Sequence, residues 1–147
     1  GISYYYAGEF QKGREQFESH KSVNPNDVEN PAWHLLCAAR QLGSLEKARD
    51  FLIPVDLNED VRVPMREIYA LYAGKGTPEE VLKRAEEEGT NSAKMYGHLY
   101  VGLYYEVMKD EKKAKEHIKL SAEVKLARPS YMQEVARVHV LQRKWEK

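Results

Sequence analysis

The stretch His98–Leu126, HLYVGLYYEVMKDEKKAKEHIKLSAEVKL, constrains this chain more than any other. Apolar and aromatic residues recur in it at helical spacing, a polar break falls at Lys109–Asp110, and a second helical pattern follows. Val101, Gly102 and Tyr105 share one face of the first segment, and Ala114, Ile118 and Ser121 share one face of the second. Gly102, Ala114 and Ser121 are small residues among bulky neighbours, a pattern that lets two antiparallel helices pack closely.

Similar patterns occupy the rest of the chain. Phe10, Gly13 and Phe17 form one stripe, and Asn24-Pro25-Asn26-Asp27 is a turn cluster that ends its helix. A second unit starts near Pro31, carries Trp33, Leu36 and Ala39, and breaks at Gly43 with Ser44 capping the next helix. Its second helix places Ala48, Leu52 and Val55 inward, with Pro54 as an early stop. Met65, Ile68, Tyr69 and Tyr72 stripe a third unit. Thr77-Pro78-Glu79-Glu80 then opens a helix as a cap, a first-turn proline and a capping-box acid. A last helix starts at Pro129 and runs to Trp145, with Met132, Val135, Ala136 and His139 inward.

The order of these residues resembles the tetratricopeptide repeat, a helix–turn–helix unit of about 34 residues. Val101, Gly102, Tyr105, Ala114, Ile118 and Ser121 match its signature in type and order, with Ile118 in place of the usual aromatic. Tyr4, Gly8, Phe10, Gly13, Phe17 and Pro25 match its second half. The resemblance implies a single all-α domain over residues 1–147, a right-handed α-solenoid of about nine helices without a sheet. It divides into about four pairs, near 1–28, 29–61, 62–91 and 92–127, the first truncated, with a capping helix over 129–145. Helix order and the segment Arg66–Glu86 are also similar to bacterial lipoprotein adaptors of the cell envelope that are built from such repeats. In that family the first helix of each pair lines a concave groove where polypeptides dock. By register, the resemblance puts Tyr5, Tyr6, Trp33, Cys37, Arg40, Arg66, Tyr96, Leu99, Tyr100, Leu103, Gln133 and Arg137 on or near that groove, and Tyr4, Tyr69, Tyr72 and Tyr105 in the core. Tyrosine, tryptophan and arginine are the residue types enriched at binding hot spots.

Composition narrows the function. Lys plus Arg and Asp plus Glu both number 23, so no global field favours nucleic acid. Residues 1–100 hold 12 basic and 16 acidic side chains and residues 101–147 hold 11 and 7, a moderate polarity along the chain. The basic run Lys112-Lys113-Ala114-Lys115 lacks interleaved aromatics, which argues against a nucleic-acid face. The single cysteine, Cys37, excludes an intrachain disulfide. No apolar run approaches the roughly 20 residues of a membrane span. The chain starts at Gly1, inside a repeat, so the expectation is a trimmed end whose apolar surface is covered by upstream residues or by a second copy in a homodimer. The compartment is left open between cytoplasm and periplasm.

No catalytic pattern emerges. Histidines fall at 20, 34, 98, 117 and 139 with no HxxxH pair, and Cys37 has no CxxC partner. The expectation is scattered surface or half-buried histidines, with His139 a satisfied interior side chain and Cys37 an inert thiol. No phosphate loop or nucleophile elbow is present. The reading is therefore a non-enzymatic scaffold without a cofactor that binds another protein or peptide. The alternative is a non-catalytic or small-ligand-binding repeat subunit of a larger enzyme.

Overall fold

The computed structural model describes residues 1–20 and 26–146. Among these the chain is all-α: α1 (Ile2–Ala7), α2 (Phe10–His20), α3 (Glu29–Leu42), α4 (Leu45–Ala48), α5 (Met65–Tyr72), α6 (Pro78–Glu88), α7 (Asn91–Val107), α8 (Glu111–Glu123) and α9 (Tyr131–Arg143). A 3₁₀ turn, Arg49–Phe51, extends α4. The expected turn at Asn24–Pro25 lies outside the described residues.

Local chemistry sets most boundaries. Ser44, Thr77, Thr90 and Asp110 each accept a backbone N–H three residues on, at the starts of α4, α6, α7 and α8. Pro78 occupies the first turn of α6, where its missing N–H costs nothing. Gly43 closes α3 in the left-handed region, at φ 74°, where a side chain would be strained. The expected capping box at Thr77 is half formed. Its hydroxyl accepts from the Glu80 N–H at 3.2 Å, but the Glu80 carboxylate accepts from that hydroxyl at 3.1 Å and does not reach back to the backbone.

Most consecutive helices pack against one another, most extensively α7 with α8, while α5, set apart from α4 by residues 52–64, packs on α3, α6 and α7. A Cβ built on Gly102 would sit 2.4 Å from Ile118 Cγ1 and 3.0 Å from the Ile118 backbone nitrogen. The Ser121 hydroxyl donates to the Met95 carbonyl at 2.8 Å across the same interface. The small residues therefore lie where the two helices approach most closely.

The second pair departs from expectation. Its second helix ends at Phe51, and residues 52–64 run without a helix. Pro54 lacks an N–H and disfavours helical geometry at Ile53. Ile53 is the buried apolar residue here, while Leu52 and Val55 are half-buried. Arg62 ties this segment to the start of α3 by ion pairs to Asp27 (3.0 Å), Glu29 (2.5 Å) and Asp60 (2.8 Å). The Val28 N–H adds a bond to Asp60 at 3.1 Å.

The chain ends also meet. Gln142 of α9 donates to the Tyr6 carbonyl of α1 at 2.7 Å, so the first helix lies against the last. The C-terminal helix buries Met132, Val135, Ala136 and His139 as expected but exposes Tyr131, Val138 and Leu141. A solenoid cap is expected to present a polar outer face, whereas α9 presents a mixed one, with Glu134, Arg137 and Gln142 exposed beside these apolar side chains. No described helix is long and apolar enough to cross a membrane.

Replacing Gly102 by Leu forces α7 and α8 apart. The expected cost is on the order of 1–3 kcal/mol, read as a lowered melting temperature in circular dichroism. An unchanged melting temperature would show that this crossing opens freely.

Candidate functional site

Between α3 and α7 the interior is aromatic. Trp33 and Tyr100 are buried, at 1% and 0% exposure, and the Trp33 indole N–H donates to the Tyr100 hydroxyl at 3.1 Å. That hydroxyl donates to Glu29, and the Tyr72 hydroxyl donates to the Tyr100 carbonyl at 2.7 Å. Tyr5 packs edge-on against Trp33 with ring centroids 5.4 Å apart.

This cluster continues into a polar centre at Glu106, in the last turn of α7. Four helices build it. From α1 the Tyr5 hydroxyl donates at 2.9 Å, and from α3 Arg40 approaches at 3.4 Å while also donating to Tyr5 at 3.2 Å. From α9 His139 Nε2 lies at 2.8 Å, and Arg143 donates twice, at 3.0 and 3.1 Å. His139 and Arg143 reach one carboxylate because positions four apart share a helix face. The Tyr6 hydroxyl lies 2.7 Å from His139 Nδ1, which fixes the tautomer: Tyr6 donates to Nδ1, and Nε2–H donates to Glu106.

The protonation states follow from this arrangement. Burial alone would raise the Glu106 carboxyl, but hydrogen bonds and charge from His139 and Arg143 outweigh it and hold the pKa at about 2. Burial lowers His139, against the pull of Glu106, so the imidazole is neutral beside an ionised carboxylate. Burial, reinforced by the Glu106 charge, pushes the Tyr5 and Tyr6 hydroxyls up. The sequence Tyr6–His139–Glu106 has the order of a catalytic relay. Its hydroxyl, however, is held in the neutral form, and His139 is 0% exposed, its two ring nitrogens occupied by Tyr6 and Glu106. These contacts fasten helices together.

One side of the centre is open. A cleft of about 500 Å³ is lined by Arg40, Glu106, Lys109, Glu111, Arg143 and Trp145, among others. Among the described residues Arg40 engages Tyr5 and Glu106 through Nη1 alone, and its other guanidinium nitrogens make no hydrogen bond there. Its Cζ lies over the Phe10 ring, 4.9 Å from the centroid, and over the Tyr5 ring at 5.5 Å. The Lys109 side chain makes no hydrogen bond or ion pair among the described residues.

The groove residues expected from sequence separate into two sets. Tyr5, Trp33, Cys37, Leu99, Tyr100, Leu103 and Gln133 are interior side chains. They pack among the chain's own helices, and of them Trp33 also lines a small surface pocket with Ile2, Phe17 and Met132. Gln133 serves the structure instead, its Nε2 donating to the Ser121, Ala122 and Val124 carbonyls at the end of α8. Tyr6 and Tyr96 are half-buried, while Arg40, Arg66 and Arg137 are exposed. Tyr5, Tyr6 and Arg40 come together at the Glu106 centre, Trp33 and Tyr100 meet in the aromatic interior, and Arg137 donates to Gln133 at 3.3 Å. Arg66 donates to Asn58 at 3.1 Å, Arg137 pairs with Glu134, and Tyr96 lies under Arg62. Among the tyrosines assigned to the core, Tyr72 is buried, whereas Tyr4, Tyr69 and Tyr105 are half-buried.

Sequence reading missed Glu106, Lys109, Arg143 and Trp145. Glu106 left a signal, since with Leu99 and Leu103 it sits at i, i+4, i+7 on an apolar stripe, where an acid needs a partner. The Cys37 thiol is buried and pushed up to about 12 by that burial, consistent with an inert group. Histidines 98 and 117 are not scattered: they meet across α7 and α8. Among the described residues no three His, Cys, Asp or Glu are placed to hold a metal. Comparisons with protein-family models, curated proteins and solved structures give no match.

The Glu106 centre makes stability pH-dependent with a definite sign. A carboxyl held below its unfolded value of about 4.5 stabilises the fold above that pH and loses the contribution as pH falls towards 2. The shift corresponds to about 3 kcal/mol at most. Lowered His139, His98 and His117 act in the same direction at higher pH, below about 6.5. Glu29, raised chiefly by burial, opposes the acid step. Melting temperature should therefore fall from pH 7 to 5 and again below 4.5. Glu106→Gln should flatten the acid step; an acid step of unchanged size in that variant would remove Glu106 as its source.

Proposed function

We propose that this chain is a scaffold of tetratricopeptide type, a right-handed helical solenoid that binds a polypeptide segment of another protein and performs no chemistry itself. Support for the architecture comes from the consecutive packing of helices and from the small–large crossing of Gly102 with Ile118. The observation that carries the binding role is the cleft beside Glu106. It offers a guanidinium over aromatic rings and an ammonium, each with N–H groups that have no partner among the described residues, and Trp145 beside them. Arginine and tryptophan in one cleft are the chemistry of an anchoring pocket. The sequence-based groove centred on Trp33 and Tyr100 is not part of this reading, because both side chains are structural.

The reading of the chain as a small-ligand subunit of an enzyme draws on the Tyr6–His139–Glu106 relay. Every polar atom of that relay is engaged within it or with Tyr5, Arg40 and Arg143, so the open cleft supports docking better than catalysis.

Selection of a random displayed peptide library on the parent protein tests the proposal. Selected peptides should lose roughly 1–2 kcal/mol of affinity on Lys109→Ala and on Arg40→Ala. The melting temperature of Lys109→Ala should match the parent, because Lys109 holds no interior partner. Failure to enrich any peptide, or enriched peptides indifferent to both substitutions, would overturn the cleft as a docking site.

A further inference from the structure

A second cluster lies away from the Glu106 cleft, where α7 faces α8. His98 Nδ1 and His117 Nδ1 are 3.0 Å apart, and the rings are 18° from parallel with centroids 5.2 Å apart. The Tyr105 ring lies nearly parallel to His117, at 5.8 Å and 20°, and the Lys113 ammonium lies over Tyr105 at 5.2 Å. Both histidines are partly exposed, so solvent reaches the pair. As they stand, one Nδ1–H donates to the other ring's lone pair.

From this juxtaposition we propose that His98 and His117 form a two-histidine site for a divalent transition-metal ion of the imidazole-preferring class, with Cu²⁺ bound best.

The first argument is distance. Two nitrogens on one metal at about 2.0–2.1 Å, spaced as these are, subtend about 90–97° at the ion. That is the angle between neighbouring ligands in a tetragonal or octahedral site, which suits Cu²⁺ or Ni²⁺. A tetrahedral Zn²⁺ site would need nitrogens about 3.3 Å apart, a small further separation, so the preference for Cu²⁺ rests chiefly on the general order of affinity of nitrogen donors for divalent metals. Each ring must tilt to aim its lone pair at the shared ion, a side-chain movement that leaves the helices in place. The bridging proton moves to Nε2 of its own ring, so a neutral pair binds the ion without net proton release.

The second argument is rigidity. These histidines sit on the most extensively packed helix pair in the molecule, pinned where Gly102 meets Ile118 and Ser121 meets Met95. The backbones that carry the donors are thus fixed, and binding has only the two imidazole side chains to order. Burial keeps both imidazoles neutral below their usual range, the form that ligates. Glu86 and Glu116 favour a cation nearby, while Lys94 and Lys113 oppose it. Water completes the coordination, because no third ligating side chain is placed at the site among the described residues.

Titration of the intact chain with Cu²⁺, Ni²⁺ and Zn²⁺ in a weakly competing glycine buffer tests this site, with electron paramagnetic resonance of the Cu²⁺ form. One Cu²⁺ per chain should bind, more tightly than Ni²⁺ or Zn²⁺. Its spectrum should show nitrogen couplings that diminish in His98→Ala and in His117→Ala. Each substitution should weaken Cu²⁺ at least tenfold, whereas His20→Ala should not. Should either alanine variant lose helix content, His98→Gln and His117→Gln, which keep a hydrogen-bonding group, serve for the same comparison. Cu²⁺ affinity within twofold of the parent when both histidines are replaced, or an unchanged spectrum, would overturn the site. Zn²⁺ binding as tight as Cu²⁺ would overturn the tetragonal assignment.

Discussion

One carboxylate, Glu106, receives hydrogen bonds from helices near both ends of the chain. Tyr5 arrives from α1, Arg40 from α3, and His139 with Arg143 from α9. An ionised carboxylate at 12% side-chain exposure would destabilise the fold if left alone. Here its oxygens face donors on several sides, so its presence favours the one arrangement in which α1, α3, α7 and α9 all converge. Hydrophobic burial supplies most of the drive to fold, but apolar contacts are non-directional. The carboxylate selects among packings that bury similar area. A stack of helix pairs interacting only with neighbours would bring its first and last helices together for no reason; this polar centre is such a reason.

That closure explains why the groove read from sequence is occupied. The pattern at residues 98–126 correctly indicates two helices and their close crossing, because Gly102, Ala114, Ile118 and Ser121 answer to local geometry. Caps were equally legible, since Ser44 and Thr77 act within three residues of themselves. Trp33 and Tyr100 fall in helices, α3 and α7, as their spacing indicates. Which way they face depends on what stands opposite, 67 positions away in the chain, and no periodicity encodes that. Tyr5 and Tyr4 illustrate the same limit. They are adjacent on a six-residue helix, and the choice of Tyr5 as the buried one is made by Trp33 and Glu106.

The histidines show a related limit. Searching for metal-ligand spacing finds pairs on a single helix, where positions three or four apart share a face. His98 and His117 are 19 apart and meet only because α7 and α8 run antiparallel around a tight turn. The antiparallel pairing was itself readable from the small residues, and combining it with the histidine positions would have placed the two rings on facing helices. Glu106 was open to the same treatment, being an acid on the stripe of Leu99 and Leu103.

The ion-pair clusters at Arg62 and Glu106 differ in what they leave unpaired, and that difference separates a fastening from a site. At Arg62 a single guanidinium serves Asp27, Glu29 and Asp60, and these bonds join residues 52–64 to the start of α3. That cluster does the work a continuous second helix would otherwise do, after Pro54 has ended the helical path. At Glu106 the carboxylate is saturated, yet Arg40 beside it keeps N–H groups that have no partner among the described residues, as does Lys109 at the rim of the same cleft. Donors that lie over aromatic rings and are not consumed by internal partners have less freedom left to lose than donors on bare surface. The carboxylate that draws α1, α3, α7 and α9 together thus leaves part of the positive charge around it at the rim of the cleft.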